Sequence, residues 1–412
     1  MIRRRLLGLP LALLAACGKG PATTTVVTRD SAGVTIIEHS EAAVAASPLW
    51  RAGAPRVTIA HGATDDQTFS WIASAARLAD GRIVVVDGQN DGSLVFIYAP
   101  DGKFERQIGR PGAGPGEFRA AKILLASDTL LLYDAQQARL TRMTTAGTTV
   151  GTIDLSRLGP MSIGDPAGSL SDGRLITTPI PFGDTATHEE RHFRQVTPLL
   201  VVDPVAQRLD TLTMAIPGNE VFLFTMDIGG RSRTLPASIG YGRRSLLLPA
   251  GTALHVATNS SASVDTYTLP WTLRRSVRFA GSRRPVDDEA RGAIRADAIA
   301  NVEHSGMPKG PEREKFIDMI NRAEIADSMA WYQAGLAGAD GLVWLREMRT
   351  LSDSVPHFLV IGAEGKLTAR MDLPAGSRLL WASADQVLIS LTDADDVPRV
   401  ELRPITKGSP TP

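Results

Sequence analysis

The run Ile83-Val84-Val85-Val86 is followed by Leu94-Val95-Phe96-Ile97-Tyr98, a Pro100-Asp101-Gly102 turn and Phe104-Glu105-Arg106-Gln107-Ile108. Each run is short and rich in β-branched or aromatic residues, the composition of strands. Asp80-Gly81 introduces the first run. An Asp-Gly pair suits a two-residue hairpin because both positions tolerate positive φ. Strand, hairpin, strand, hairpin, strand is the outline of one antiparallel blade.

The same phrase recurs further along the chain. Leu130-Leu131-Leu132-Tyr133, Leu175-Ile176, Leu254-His255-Val256, Leu342-Val343-Trp344-Leu345 and Val387-Leu388-Ile389 repeat the first run, and Asp172-Gly173 and Asp340-Gly341 repeat its turn. The runs start roughly 45 residues apart, with two wider gaps, a spacing that marks propellers. Six units can be placed: 70–109, 121–155, 162–216, 243–280, 328–373 and one from 378. The sixth has strands near 378–382, 386–391 and 398–404 and lacks a fourth. Val34-Thr35-Ile36-Ile37 or Arg56-Val57-Thr58-Ile59 could supply it, and closing the ring removes two open sheet edges. The expected fold is all-β: a six-bladed β-propeller over 31–405, with N- and C-terminal strands sharing a blade and a disordered tail over 406–412.

Two insertions break the period. Residues 217–242 read as irregular and Gly-rich. Residues 283–330 read as helical: Pro285 with Asp287, Asp288 and Glu289 favours a helix start, negative charge meeting the positive end of the helix dipole. Ala290, Ile294, Ala298 and Val302 then share one face. Pro311, Glu312 and Glu314 start a second helix bearing Phe316, Ile320 and Ala323. This insertion between blades four and five is either a lid over a pocket or filler.

Between the first two units lies Gly109-Arg110-Pro111-Gly112-Ala113-Gly114-Pro115-Gly116-Glu117-Phe118. With Asp134 and Arg139-Leu140 it resembles the NHL-type repeat, which links blades by a Gly-rich loop closing on an aromatic residue. The match covers about 70–150, and Arg119-Ala120-Ala121 stand where that family places a proline. The glycines serve the unusual backbone angles of a crossing loop. No helix or Lys-Ser follows, as a phosphate cradle would require.

The N-terminus reads as an address. Arg3, Arg4 and Arg5 precede the apolar Leu6–Leu14, a segment too short to span a bilayer. Leu14-Ala15-Ala16-Cys17 resembles the lipobox of bacterial lipoproteins. The resemblance implies cleavage just before Cys17, so that 1–17 is a signal segment ending at a lipidated cysteine. Two or more acyl chains there would give stable anchoring. Residues 18–30 read as a flexible tether. Gly18, in place of Asp, favours the outer membrane under the lipid-sorting rule of Gram-negative bacteria. Cys17 is the only cysteine, so the mature domain has no disulfide and no cysteine metal site. The roughly 390 residues that follow are ample for a large core. Lys plus Arg (44) balance Asp plus Glu (44), which leaves no general attraction to nucleic acid.

Chemistry is harder to read. His188-Glu189-Glu190-Arg191-His192 fits the zinc-protease pattern H-E-x-x-H, which needs a helix to bring both histidines to one face. Its Pro-, Gly- and Thr-containing surroundings are not helical, so a metal site at His188, Glu189 and His192 is rejected. His39, His61, His255, His304 and His357 are scattered, and no G-x-S-x-G elbow occurs. Arginines crowd between 229 and 284. Arg231, Arg233, Arg243 and Arg244 are the candidate anion-binding rim, since guanidinium forks suit carboxylate and phosphate; the alternative is pairing with the acids of the helical insertion. Trp71, Trp271, Trp331, Trp344 and Trp381 sit in or beside predicted strands. The chain resembles bacterial six-bladed propeller lipoproteins, which implies an envelope-anchored module that binds a protein or small ligand without a cofactor. Calcium-dependent lactonases also have six blades. Likeness to them implies a hydrolase or lyase with a divalent cation at the hub, for which Asp87, Asn90 and Asn259 are candidates.

Overall fold

The computed structural model describes residues 25–408, apart from 65–66, 127–128, 160–162, 180–190, 229–230 and 305–306. Six antiparallel sheets stand in a ring. Their innermost strands are Trp71–Arg77, Ala121–Ala126, Gly168–Ser169, Leu246–Ala250, Tyr332–Ala337 and Arg378–Ala382. Each lies beside the next, and the last lies beside the first. The chain is therefore a six-bladed β-propeller, and the six sequence units are its blades.

Blade one shows why the deciding run is continuous rather than alternating. Its strands are Trp71–Arg77, Ile83–Gln89, Gly92–Tyr98 and Phe104–Pro111. Both faces of the sheet are covered by neighbours, so Ile83, Val84, Val85 and Val86 are all fully buried. Ile83, Val85, Phe96 and Tyr98 pack against Leu388, Val400 and Leu402 of blade six. Val84, Val86, Val95 and Ile97 pack against Leu130, Leu132 and Met143 of blade two. Successive side chains thus serve opposite blade interfaces.

The ring is closed by the N-terminal part of the chain. Blade six has Arg378–Ala382, Gln386–Thr392 and Pro398–Lys407, and Val57–Ile59 adds its fourth strand, with Val400 opposite Ile59. Of the two expected suppliers, the second closes the ring. Val34–His39 instead runs parallel to Thr272–Phe279, the outer strand of blade four, and Val26–Ser31 pairs with it. Leu49–Ala52 lies between Leu367–Asp372 of blade five and Pro398–Lys407 of blade six. Helix α1 (Glu41–Ala46) joins these segments, with the Ser40 side chain accepting from the Ala43 amide. Residues 26–59 form a belt across the outer edges of three blades.

Two boundaries move. The tether expected over 18–30 gives way to strand at Val26, and the tail expected from 406 is still strand to Lys407. Cys17 and the rest of 1–24 lie outside the described residues, as do 409–412.

The expectation for 217–242 is corrected. Val221–Ile228 and Arg231–Ser238 form a hairpin, and Arg191–Phe193 pairs with Val221–Leu223 on its edge. The result is a three-stranded sheet outside the ring. The helical insertion forms as expected, as α2 (Asp288–His304) and α3 (Pro311–Arg322). Asp287 accepts from the Ala290 amide and starts α2. Ala290 and Ile294 pack with Tyr241, Met329 and Met348, while Phe316, Met319 and Ala323 pack with Phe222, Phe224 and Ile239.

Closure by Val57–Ile59 carries a stability cost that can be measured. Ile59 is 3% exposed and packs in the interface of blades one and six. Ile59→Ala should cost about 2–5 kcal/mol by denaturant unfolding. Thr58→Ala, at the exposed position between, should stay within about 0.5 kcal/mol.

Candidate functional site: the insertion side of the propeller

In a blade of alternating strands, second-to-third connections and blade-to-blade connections leave one face. The two tight turns leave the other. Asp80-Gly81, Asp101-Gly102, Asp172-Gly173 and Asp340-Gly341 are on the turn side. The added sheet is drawn from the second-to-third connection of blade three and the link to blade four, and α2 and α3 come from the link of blade four to blade five. All the added structure stands on one side, where loops of a rigid scaffold carry function.

The two insertions are bound to each other by backbone. Gly240 and Ile325 form a parallel bridge between them, and Pro285 and Ser328 form an antiparallel one that closes the base of the helical insertion. The Ala326 amide donates to the Gly240 carbonyl at 3.1 Å and the Ala330 amide to that of Tyr241 at 2.9 Å. Gly240 leaves room for α2, since a Cβ there would stand 3.0 Å from Ile294 Cδ1. Between the insertions and blade five lies a cavity of about 310 Å³. Its walls are mostly aliphatic, with Ile239, Ile294, Met319, Ile320 and Leu351 among them, and Arg244, Arg295 and Arg349 also line it.

The candidate rim arginines separate. Arg231 and Arg233 lie in the hairpin strand Arg231–Ser238, and their side chains lie outside the described residues. Arg243 is committed to Glu220: its Nε donates to Oε1 at 2.7 Å, its Nη2 to the same oxygen, and its amide to Oε2 at 2.5 Å. Burial alone would raise the Glu220 carboxyl, but these donors outweigh it and hold it below the usual glutamate range. Among the described side chains of these four, Arg244 lines the cavity, as do two arginines that sequence reasoning missed. Arg295 is one helical turn beyond Arg291 on α2, beside the apolar face. Arg349 follows the second strand of blade five, its Nη2 donating to Glu347 Oε2 at 2.6 Å.

The rejected zinc motif divides at the edge of the described residues. His188 and Glu189 lie outside them, whereas His192 is in the strand Arg191–Phe193. It sits between two carboxylates, Nε2 3.6 Å from Glu220 and Nδ1 3.8 Å from Glu324. Among the described residues, no group of three or more His, Cys, Asp or Glu is arranged to hold a metal. The hub candidates have structural bonds. Asp87 accepts from the Ser70 and Trp71 amides and from Gln89. Asn259 donates to the carbonyls of Arg244 and Tyr332 and accepts from the Tyr332 amide, joining blades four and five. Asn90 is in an exposed turn.

The residues that carry the NHL-like pattern are also structural. Asp134 accepts from the amides of Arg119 and Ala120 at the end of the crossing loop. Arg139 donates to the carbonyls of Ala113 and Glu117 within it. Phe118 is fully buried and pins the loop to the core. Side chains of blade two thus grip the loop, and its own Phe118 fixes it to the core between the blades.

A family-model comparison agrees with this architecture. A family model described as a 6-bladed beta-propeller, DUF5128, matches residues 63–155. Over 79 residues the chain is 34% identical to the RING finger protein nhl-1 of Caenorhabditis elegans, covering 19% of this chain and 8% of that protein. It spans less than a tenth of that relative. A solved structure of a Bacteroides fragilis protein described as exported has a TM-score of 0.47 at 12% identity, covering 90% of this chain and 99% of that one. A DUF4221 family member from Bacteroides vulgatus has a TM-score of 0.48 at 11% identity, over 89% and 99%. The family match thus falls on the NHL-like segment and describes the same six-bladed ring.

The Glu220–Arg243 pair gives a prediction with a pH signature. Arg243→Met leaves the Glu220 carboxylate, 4% exposed, without its guanidinium. The variant should lose about 3–5 kcal/mol near neutral pH. Because the folded carboxyl is held low, its contribution is full above the ordinary glutamate range and disappears as pH falls through the lowered folded value. The stability gap between wild type and variant, measured by denaturant unfolding, should therefore narrow below about pH 4.

Proposed function

We propose that this chain is an exported lipoprotein, anchored through Cys17, whose propeller is a non-enzymatic scaffold for a ligand-binding cavity on its insertion side. The observation that carries this reading is the cavity itself. Two insertions from different blade links, joined backbone to backbone, border a half-open, mostly aliphatic space lined by three arginines and Glu324. Such a space, with few polar groups converging on it, is the usual form of a ligand site.

The anchor fits the same side. Thr25 is held to Ser40, its amide donating to Ser40 Oγ at 3.1 Å and its carbonyl accepting from the Ser40 amide at 3.0 Å. The neighbouring His39 carbonyl accepts from the Ala280 amide at the root of the helical insertion. From Cys17 to Thr25 the chain reaches at most about 28 Å. A lipid on Cys17 would keep the insertion root that close to the membrane, on the outer membrane of a Gram-negative envelope if Gly18 directs sorting.

Native mass spectrometry of protein extracted from membranes tests both parts. The expected mass is that of a chain starting at a triacylated Cys17, with a non-covalent small-molecule adduct. Ala298→Trp, which fills the cavity, should keep the acylated mass and lose the adduct. An unacylated chain would contradict the anchor, and an adduct retained in Ala298→Trp would contradict the cavity.

A further inference from the structure

The charge inside the cavity points to a ligand class. Arg244 and Arg295 have no ion-pair partner among the described residues. Arg295 Nε and Arg349 Nε are both buried with no hydrogen-bond partner. A buried donor left unmet costs about 1–3 kcal/mol, and more when it belongs to a charged group. Arg349 differs from the other two, because Glu347 takes its Nη2 and Asp353 stands 4.0 Å from its Nη1. The unpaired guanidinium groups are therefore that of Arg295, which is half-buried, and that of Arg244, which is exposed at the edge of the cavity. One acid, Glu324, also lines the cavity, but it is 54% exposed and stands 3.8 Å from His192 Nδ1.

The rest of the wall excludes other ligands. A sugar would call for stacked aromatic rings and a dense set of donors and acceptors. Tyr241 is the one aromatic residue among the described residues lining the cavity, and it is 4% exposed. The apolar lining of Ile239, Ile294, Met319 and Ile320 suits a hydrocarbon chain, and Leu351 at 47% exposure offers an apolar threshold.

We infer that the cavity binds an amphiphilic organic anion, a medium-length aliphatic chain ending in a carboxylate or phosphate. This rests on the reading of the cavity as the ligand site. Arg244 and Arg295 meet the anionic head, Arg349 is fixed by Glu347 at its side, and α2 and α3 cover the chain. The same chemistry is offered by a membrane lipid and by a free acid in the periplasm.

The test uses the full chain with Cys17→Ser, exported and purified in soluble form. Calorimetric titration would compare decanoate, decyl phosphate, decanol and acetate. Decanoate and decyl phosphate should bind saturably at one per chain, decanol at least tenfold more weakly, and acetate not at all. Arg244→Gln and Arg295→Gln should each weaken decanoate at least tenfold and leave decanol unchanged, with thermal melts showing both variants folded. Equal binding of decanol and decanoate, or Arg variants that bind decanoate as wild type does, would overturn the inference. Incubation with phosphatidylglycerol vesicles separates the sources. Phospholipid carried off by the protein and displaced by decanoate assigns the ligand to the membrane; decanoate binding with no lipid removed assigns it to the soluble pool. If none of the four probes binds while the native adduct persists and is lost in Ala298→Trp, the ligand class is wrong and the cavity reading stands. If the adduct is missing as well, both fail.

Discussion

The pairing of Val57–Ile59 with Val400–Leu402 is the interaction on which the rest of the structure depends. A propeller of six blades has one seam, and an open seam would leave unpaired sheet edges and two bare blade faces. Joining residues some 340 positions apart is entropically slow to achieve but costs little more than a shorter closure, because loop entropy grows with the logarithm of length. Once the seam is shut, Ile83–Val86 and its counterparts are buried on both faces, and the continuous apolar runs find their place. The belt of residues 26–59 reinforces the same region by crossing the outer edges of blades four, five and six.

The belt also links architecture to placement. By running back from blade six to blade four, it brings Thr25 to the root of the helical insertion. The insertions on that side enclose the cavity, and the turns on the other side are short. One face of the ring is thus structural, and the other is elaborated. Under the proposed function, the anchor and the binding cavity share the elaborated side, because a single N-terminal path serves both.

Much of this was legible in the sequence for physical reasons. A blade's second strand is buried on both faces, so its apolar run is unmistakable, and each Asp-Gly turn fixes where it begins. Helices α2 and α3 showed in the spacing of Ala290, Ile294 and Ala298 and in the acids at their starts. The hairpin of Val221–Ile228 and Arg231–Ser238 did not show, because its third strand, Arg191–Phe193, comes from another connection. The belt is only half legible: two N-terminal runs have strand composition, but the parallel pairing of Val34–His39 with Thr272–Phe279 has no local signal.

The site was less legible than the fold. Clustering of Arg231, Arg233, Arg243 and Arg244 in the sequence suggested a rim, yet adjacent residues on an extended segment point apart. Arg243 turned to the buried Glu220, and Arg244 to the cavity. Arg295 and Arg349 come from different elements, and only the folded chain unites them. Fluorescence energy transfer from the protein to acceptors in the vesicle surface tests the central claim, that the insertion side is held toward the membrane. Lipidated protein would carry a single dye at Glu314→Cys on α3 or at Ser171→Cys on the turn side, both exposed positions. Transfer should be clearly stronger from position 314. Equal transfer, or stronger transfer from position 171, would contradict that claim.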